Sequence, residues 1–258
     1  MTLTIARQMV AAEVLKLRRN RAVMGFALLL SVGVIVLVFG FQAVEHASDP
    51  SKNAPAGGIE GFSRAVRVLG LFFGALTAIL IGAEAGTADS ASGVFRDLVA
   101  TGRSRLSLFF VRLPAAIAVS LAFVGAAFAL TIGAAFVFAD GSPTPTFSLI
   151  AQSAGWIVLA NMIIVAFAVG VGSLTGSRAV TLTAVIGWQM VASLMLLNAK
   201  ALGSVRDGLL TASLGQLMPV NGRIAEFGIA TGVAVAVLAA WAIIPSALGA
   251  WRTHVRDA

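Results

Sequence analysis

The chain has 258 residues, of which 59% are hydrophobic and only 11% carry a charge. This composition excludes an ordinary water-soluble domain, because a core of this size could not bury so much apolar surface. The absence of cysteine excludes disulfides and thiolate metal sites, and the net charge of +7 needs no nucleic acid to explain it if the basic residues line a membrane surface.

The first 21 residues predict an amphipathic helix that lies in the cytoplasmic membrane interface and leads into the first span. Five apolar residues recur there at spacings of three or four: Leu3, Ala6, Val10, Val14 and Leu17. They would line one face of a helix, with basic residues off that face. A frayed basic tail is the alternative.

Six apolar stretches predict membrane-spanning segments. In chain order they are Ala22–Val44, Val68–Ala83, Leu113–Ala139, Ser148–Leu174, Ala179–Leu197 and Gly228–Trp251. Hydrophobic residues do not alternate along them, and backbone groups in lipid must bond within their own segment, so we expect helices. Lysine and arginine are in excess on the side that carries both termini, which predicts that both termini are cytoplasmic.

Two segments have more specific patterns. The second span places a ridge of small residues at every fourth position, which predicts close packing against another helix: Gly70, Gly74, Ala78, Gly82 and Gly86. Residues 198–227 are only half polar and neither half is long enough to cross, so we expect an external re-entrant helical hairpin before the last span.

Several kinds of chemistry are missing from the chain. No ionisable residue lies at the middle of a span, which disfavours an ion-coupled secondary carrier. No lysine follows a glycine, so a phosphate-binding loop and an ATP site are absent, and neither histidine lies within a predicted span. The sequence therefore predicts neither an enzyme nor a metal or cofactor site in this chain.

Three polar or amphipathic residues do lie at mid-depth, namely Asn161, Trp188 and Gln189. They could belong to a substrate pathway, or they could hydrogen-bond between helices and stabilise the bundle. We prefer the hydrogen-bonding interpretation, and the pathway remains the alternative.

The loop 84–112 carries an ordered set of short motifs. Glu84 ends the second span, the pair Gly86-Thr87 follows, and then Gly93, Phe95, Arg96 and Asp97 precede Arg103 and Arg105. In this order they resemble the permease subunits of type-2 ABC exporters, and six spans with an interfacial first helix and a long hairpin extend the resemblance over residues 1–258, as a single transmembrane domain.

The resemblance implies that these loop residues couple the chain to a cytoplasmic ATPase subunit that holds ATP and Mg²⁺. It implies a second permease copy or homologue, contact with membrane lipid, and a pathway lined partly by the second and fifth spans. It also implies multidrug or antibiotic export across a bacterial cytoplasmic (inner) membrane. A membrane assembly or receptor subunit without transport is the alternative.

Overall fold

The computed structural model of the chain describes residues 3–91, 93, 102, 104–220 and 229–255. It is 86% helical, and the described residues contain no β-strand. Six helices are long and apolar enough to cross a membrane: Arg21–Ser48, Gly58–Asp89, Arg105–Val137, Phe147–Thr175, Arg178–Asn198 and Thr231–Val255. The predicted all-α fold with six spans is confirmed.

The N-terminal helix runs from Leu3 to Arg19, as its apolar periodicity predicts. Asn20 separates it from the first span and caps that span, since its side-chain oxygen accepts a hydrogen bond from the Val23 amide at 3.3 Å. Leu17 is buried in the core. The helix is therefore packed onto the spans and is not a frayed tail.

Two spans begin earlier than predicted. The second begins at Gly58 instead of Val68, so the segment between the first and second spans is reduced to the residues between Ser48 and Gly58. Hydropathy identifies the part of a helix that lipid can surround, whereas the helix itself continues as long as its backbone hydrogen bonds do.

The third span begins at Arg105 instead of Leu113, because Ser104 caps it by accepting a hydrogen bond from the Ser107 amide. At the other edge of the preceding loop, the helix that ends the second span continues to Ala91. Helices therefore occupy both edges of the predicted loop 84–112, and of residues 92–104 between them the structure describes only 93, 102 and 104.

Three spans each contain one π-helical turn. These turns are Leu29–Gly33 in the first span, Val68–Phe73 in the second and Gly187–Ala192 in the fifth. A π turn adds a residue to the helix and changes the direction of the side chains around it. The sequence analysis did not predict these turns, because apolar residues fill both regular and π-helical turns in lipid.

The second and fourth spans form the centre of the bundle. Within the membrane-length window, 72% of the second span and 67% of the fourth are buried, against 28% for the first and fifth and 22% for the sixth. The sixth span packs tightly on the fourth, where a Cβ added at Gly249 would lie 2.7 Å from the Gly170 carbonyl oxygen. In the first, fifth and sixth spans fewer than a third of the residues of that window are buried by the described part of the chain.

The segment before the last span returns into the bundle as predicted. A 3₁₀ segment, Lys200–Gly208, is broken by a kink at Gly203 (φ +51°) and leads into the short helix Leu210–Gln216. Leu210 and Leu214 are fully buried, and Trp156 of the fourth span donates its ring N–H to the Leu214 carbonyl at 2.9 Å. Residues 221–228, which complete the predicted hairpin 198–227, lie outside the described residues.

Candidate functional site

Several elements meet at one end of the bundle, which we call the basic end. The N-terminal helix, the last turns of the second span and the first turns of the third and fifth spans come together there. Arg105 also donates a hydrogen bond to the His254 carbonyl, which brings the end of the sixth span to the same place. This is the end that the charge distribution predicts to be cytoplasmic.

Asp89, near the end of the second span, binds two cations from different elements. Lys16 of the N-terminal helix donates to Oδ1 at 2.8 Å, and Arg112 of the third span donates to Oδ2 at 2.7 Å. Glu13 pairs with the outer side of Lys16. The Asp89 and Arg112 side chains are only 5% and 2% exposed, so neither charge can separate from the other without a large desolvation cost.

Glu84 forms a second junction, about one and a half turns earlier on the same helix. Asn20 donates its side-chain N–H to Oε1 at 2.8 Å, and Arg178 lies 3.1 Å from Oε2. Asn20 also caps the first span, and Arg178 begins the fifth. One carboxylate therefore connects the first, second and fifth spans.

Together the two junctions form what we call the carboxylate network. It consists of Lys16, Asn20, Glu84, Asp89, Arg112 and Arg178. Glu84 and Asp89 both lie near the basic end of the second span, which is one of the two central helices of the bundle. The network therefore links the N-terminal helix to four spans through charge-assisted hydrogen bonds.

Two of the predicted coupling residues have a packing role. Gly86 lies against the fourth span, where an added Cβ would be 2.7 Å from the Val169 carbonyl oxygen. Thr87 is buried and donates its hydroxyl to the Ala83 carbonyl. Since the helix continues past both residues, Gly86 and Thr87 lie inside the bundle and not on the surface of a loop.

The remaining coupling residues lie between the second and third spans or at the start of the third. Gly93 is exposed and has a φ of +71°, a conformation that favours glycine. Arg105 is the first residue of the third span. Phe95, Arg96, Asp97 and Arg103 lie outside the described residues, so their predicted contact with a partner remains a prediction.

Sequence reasoning missed most of the carboxylate network. It identified Glu84 and ended the coupling loop at residue 112, but it gave no structural role to Lys16, Asn20, Asp89 or Arg178. A signal was present at Arg112, because Phe110, Val111 and Leu113 surround it and a lone cation among apolar residues requires a buried anion. Choosing Asp89 as that anion requires the packing of the helices.

The small-residue ridge packs within the chain. Gly70 faces Trp156 of the fourth span, and a Cβ on Gly82 would lie 2.7 Å from the Ala168 Cβ. Gly74 differs, because its nearest atom is the Leu69 carbonyl oxygen of its own π turn. Gly70 and Gly82 therefore allow the second and fourth spans to approach closely, whereas Gly74 makes room for the π turn of its own helix.

The mid-depth polar residues form hydrogen bonds between elements. Asn161 donates to the Ser120 hydroxyl at 2.8 Å, which links the fourth and third spans. Gln189 donates to the Thr211 hydroxyl at 3.1 Å, which links the fifth span to the short helix before the last span. Trp188 differs, because it forms a tilted ring contact with Trp241 of the sixth span, with centroids 5.6 Å apart, and its ring N–H has no hydrogen-bond partner among the described residues.

The hydrogen bonds of Asn161 and Gln189 are what an interhelical role requires, and Trp188 contributes a ring contact. A role of Asn161, Trp188 and Gln189 in a substrate pathway remains a prediction. In comparisons with known proteins, neither a family model nor a curated sequence matches this chain.

Proposed function

We propose that this chain is the transmembrane subunit of an ATP-driven exporter of the type-2 ABC kind. It moves an amphipathic or hydrophobic substrate, such as a drug, an antibiotic, a peptide or a lipid-like molecule, out of the cytoplasm or the inner leaflet. ATP and Mg²⁺ bind to a separate soluble ATPase, and two permeases pair with two ATPase subunits in a bacterial cytoplasmic membrane, with both termini on the cytoplasmic side.

The carboxylate network is the observation that carries this proposal. A permease without an ATP site must receive work through a protein contact, and that contact must act on several spans together. Asp89 and Glu84 join the N-terminal helix to four spans beside the loop that would meet the ATPase. Movement of that loop therefore reaches the centre of the bundle through the second span.

Pairing through the fifth span rests on the resemblance, and the exposure of that span is compatible with it. Only 28% of the fifth span's membrane-length window is buried, as for the first span, and the sixth is buried still less. The second span is mostly enclosed, so its part in a shared pathway is smaller than the resemblance implies. Its main role is to transmit movement from the basic end.

Co-purification tests the proposal. The tagged chain, extracted from its native membrane in mild detergent, is expected to bring a soluble ATPase with it and to support ATP turnover. Arg96→Glu reverses a charge on the loop, and we expect it to reduce both association and turnover. Lys52→Glu, on an exposed residue far from that loop, is the matched control.

The absence of an associated ATPase and of any ATP turnover in the wild-type preparation would contradict the exporter. A stable complex with other membrane proteins and no ATPase would instead support an assembly or receptor subunit. If Arg96→Glu and Lys52→Glu both bind the ATPase like the wild type, the loop is a solvated cluster of charges.

A further inference from the structure

A half-open groove lies between the N-terminal helix, the start of the first span and the third span. Its volume is about 480 Å³, within the range of about 300–1,000 Å³ that is usual for small-molecule sites. Val14 and Met24 form one wall, and Val119 and Phe123 form the other. The small side chain of Ala122 leaves the space between them open.

The depth of the groove follows from the helices that line it. Arg18 lies three residues before the first span, at the level of the membrane boundary. Val119 lies seven residues beyond Arg112 along the third span, which is about 10 Å deeper into the bilayer. The groove therefore begins at the level of lipid headgroups and continues beside the acyl chains.

The charge at the mouth of the groove is positive and uncompensated among the described residues. Arg18 is the one ionisable residue that lines the groove. Arg18, Arg19 and Arg21 are exposed, and none forms an ion pair with a residue that the structure describes. Lys16 and Arg112 differ, because Asp89 binds both.

We infer that the groove is a binding site for an anionic phospholipid of the cytoplasmic leaflet. The headgroup phosphate binds Arg18, with Arg19 and Arg21 adding to the positive potential, and one acyl chain lies along Val119 and Phe123. A cation at the mouth and apolar walls below it complement such a lipid in both charge and polarity. The site exists whether or not the chain exports a substrate.

Retention of lipid by the purified chain tests the site. The protein is exchanged into mixed micelles that contain phosphatidylglycerol or phosphatidylcholine, and bound lipid is counted by native mass spectrometry. We expect wild-type protein to retain phosphatidylglycerol about fivefold more than phosphatidylcholine, and Arg18→Gln to lose most of that preference. Arg19→Gln, one residue away and outside the groove, is expected to keep most of it.

A second pair of variants tests the groove without changing charge. Ala122→Phe fills the space between the walls, and we expect it to lower retention of both lipids. Ala126→Phe, one turn further along the third span and outside the groove, is expected to leave retention unchanged. The thermal transition of each variant shows whether it has folded.

Four results would overturn the inference. Equal retention of the two lipids by wild-type protein would show that the groove does not select an anionic headgroup. If Arg18→Gln and Arg19→Gln lost the preference for phosphatidylglycerol equally, the preference would come from the general surface charge and not from the groove. Unchanged retention in a folded Ala122→Phe variant, or a transported amphipathic substrate bound in place of the lipid, would show that this groove is not a phospholipid site.

Discussion

Asp89 connects the N-terminal helix to the third span through two cations that differ in exposure. Arg112 is almost completely buried, whereas about a third of the Lys16 side chain is exposed. A buried ion pair contributes little net stability over an apolar pair, but removal of one partner leaves a desolvated charge behind. At the scale of single residues, the loss of one partner of the buried Asp89–Arg112 pair is therefore expected to lower stability more than the loss of Lys16.

Asp89→Asn is expected to destabilise the protein by about 3–5 kcal/mol, because it leaves the Arg112 guanidinium buried without its anion. The double variant Asp89→Leu with Arg112→Met removes both charges and is expected to recover most of that loss. Thermal unfolding in detergent measures both effects. Asp49→Asn, a change in the exposed loop after the first span, serves as the control, and an Asp89→Asn variant as stable as the control would contradict the account.

At the scale of elements, glycine sets the distance between helices in the centre of the bundle. Gly82 and Gly86 lie where the second span touches the fourth, whereas Gly125 of the third span has no atom within 4 Å of the place where a Cβ would be. The same substitution is therefore expected to have opposite effects at these positions, since alanine favours helix wherever there is space for its methyl group.

Gly86→Ala is expected to lower stability by about 1–3 kcal/mol, because the methyl group would press on backbone atoms of the fourth span. Gly82→Ala should act in the same direction. Gly125→Ala is expected to be neutral or slightly stabilising. The folded fraction recovered by size-exclusion chromatography after heating compares the three variants, and equal behaviour would mean that the second and fourth spans are not in close contact.

The short helix before the last span is attached to the fifth span by the bond from Gln189 to Thr211. A double-mutant cycle with Gln189→Leu and Thr211→Val is expected to give a coupling free energy of about 0.6–1.7 kcal/mol, the range measured for interhelical hydrogen bonds in membranes. Unfolding of the two single variants and the double variant supplies the cycle. Strict additivity would show that this contact adds no stability.

At the scale of the whole molecule, polar side-chain contacts join the spans at both ends of the bundle. The carboxylate network and the Arg105–His254 contact lie at the basic end. At the other end, His46 binds Asp140 at 2.9 Å, which joins the ends of the first and third spans. The chain therefore crosses the bundle six times, with both termini at the basic end.

Impermeant thiol labelling tests the orientation, and the absence of native cysteine leaves no background. Cysteines that replace Ser51 and Ser204 are expected to react from outside intact cells, whereas one that replaces Ser104 should react only after the membrane is opened. All three positions are exposed in the fold. Labelling of position 104 from outside would reverse the predicted topology.

Hydropathy and charge predicted the number of spans and the N-terminal helix, because lipid imposes these features on each segment separately. The starts at Gly58 and Arg105 were not predictable in the same way, since capping and backbone bonding decide them. Asp89 finds its partners only because the N-terminal helix, the second span and the third span pack together. The local sequence around Lys16 does not specify that packing. The close packing along Gly70 and Gly82 was predicted, but its partner, the fourth span, was not.

ATP turnover by the reconstituted complex of permease and ATPase tests the central claim most directly. Wild-type protein is expected to stimulate turnover, and the Asp89→Leu, Arg112→Met variant is expected to bind the ATPase and remain folded while losing most of that stimulation. This result would show that the charges of the network transmit movement and do more than stabilise the bundle. Full stimulation by the folded double variant would contradict the account.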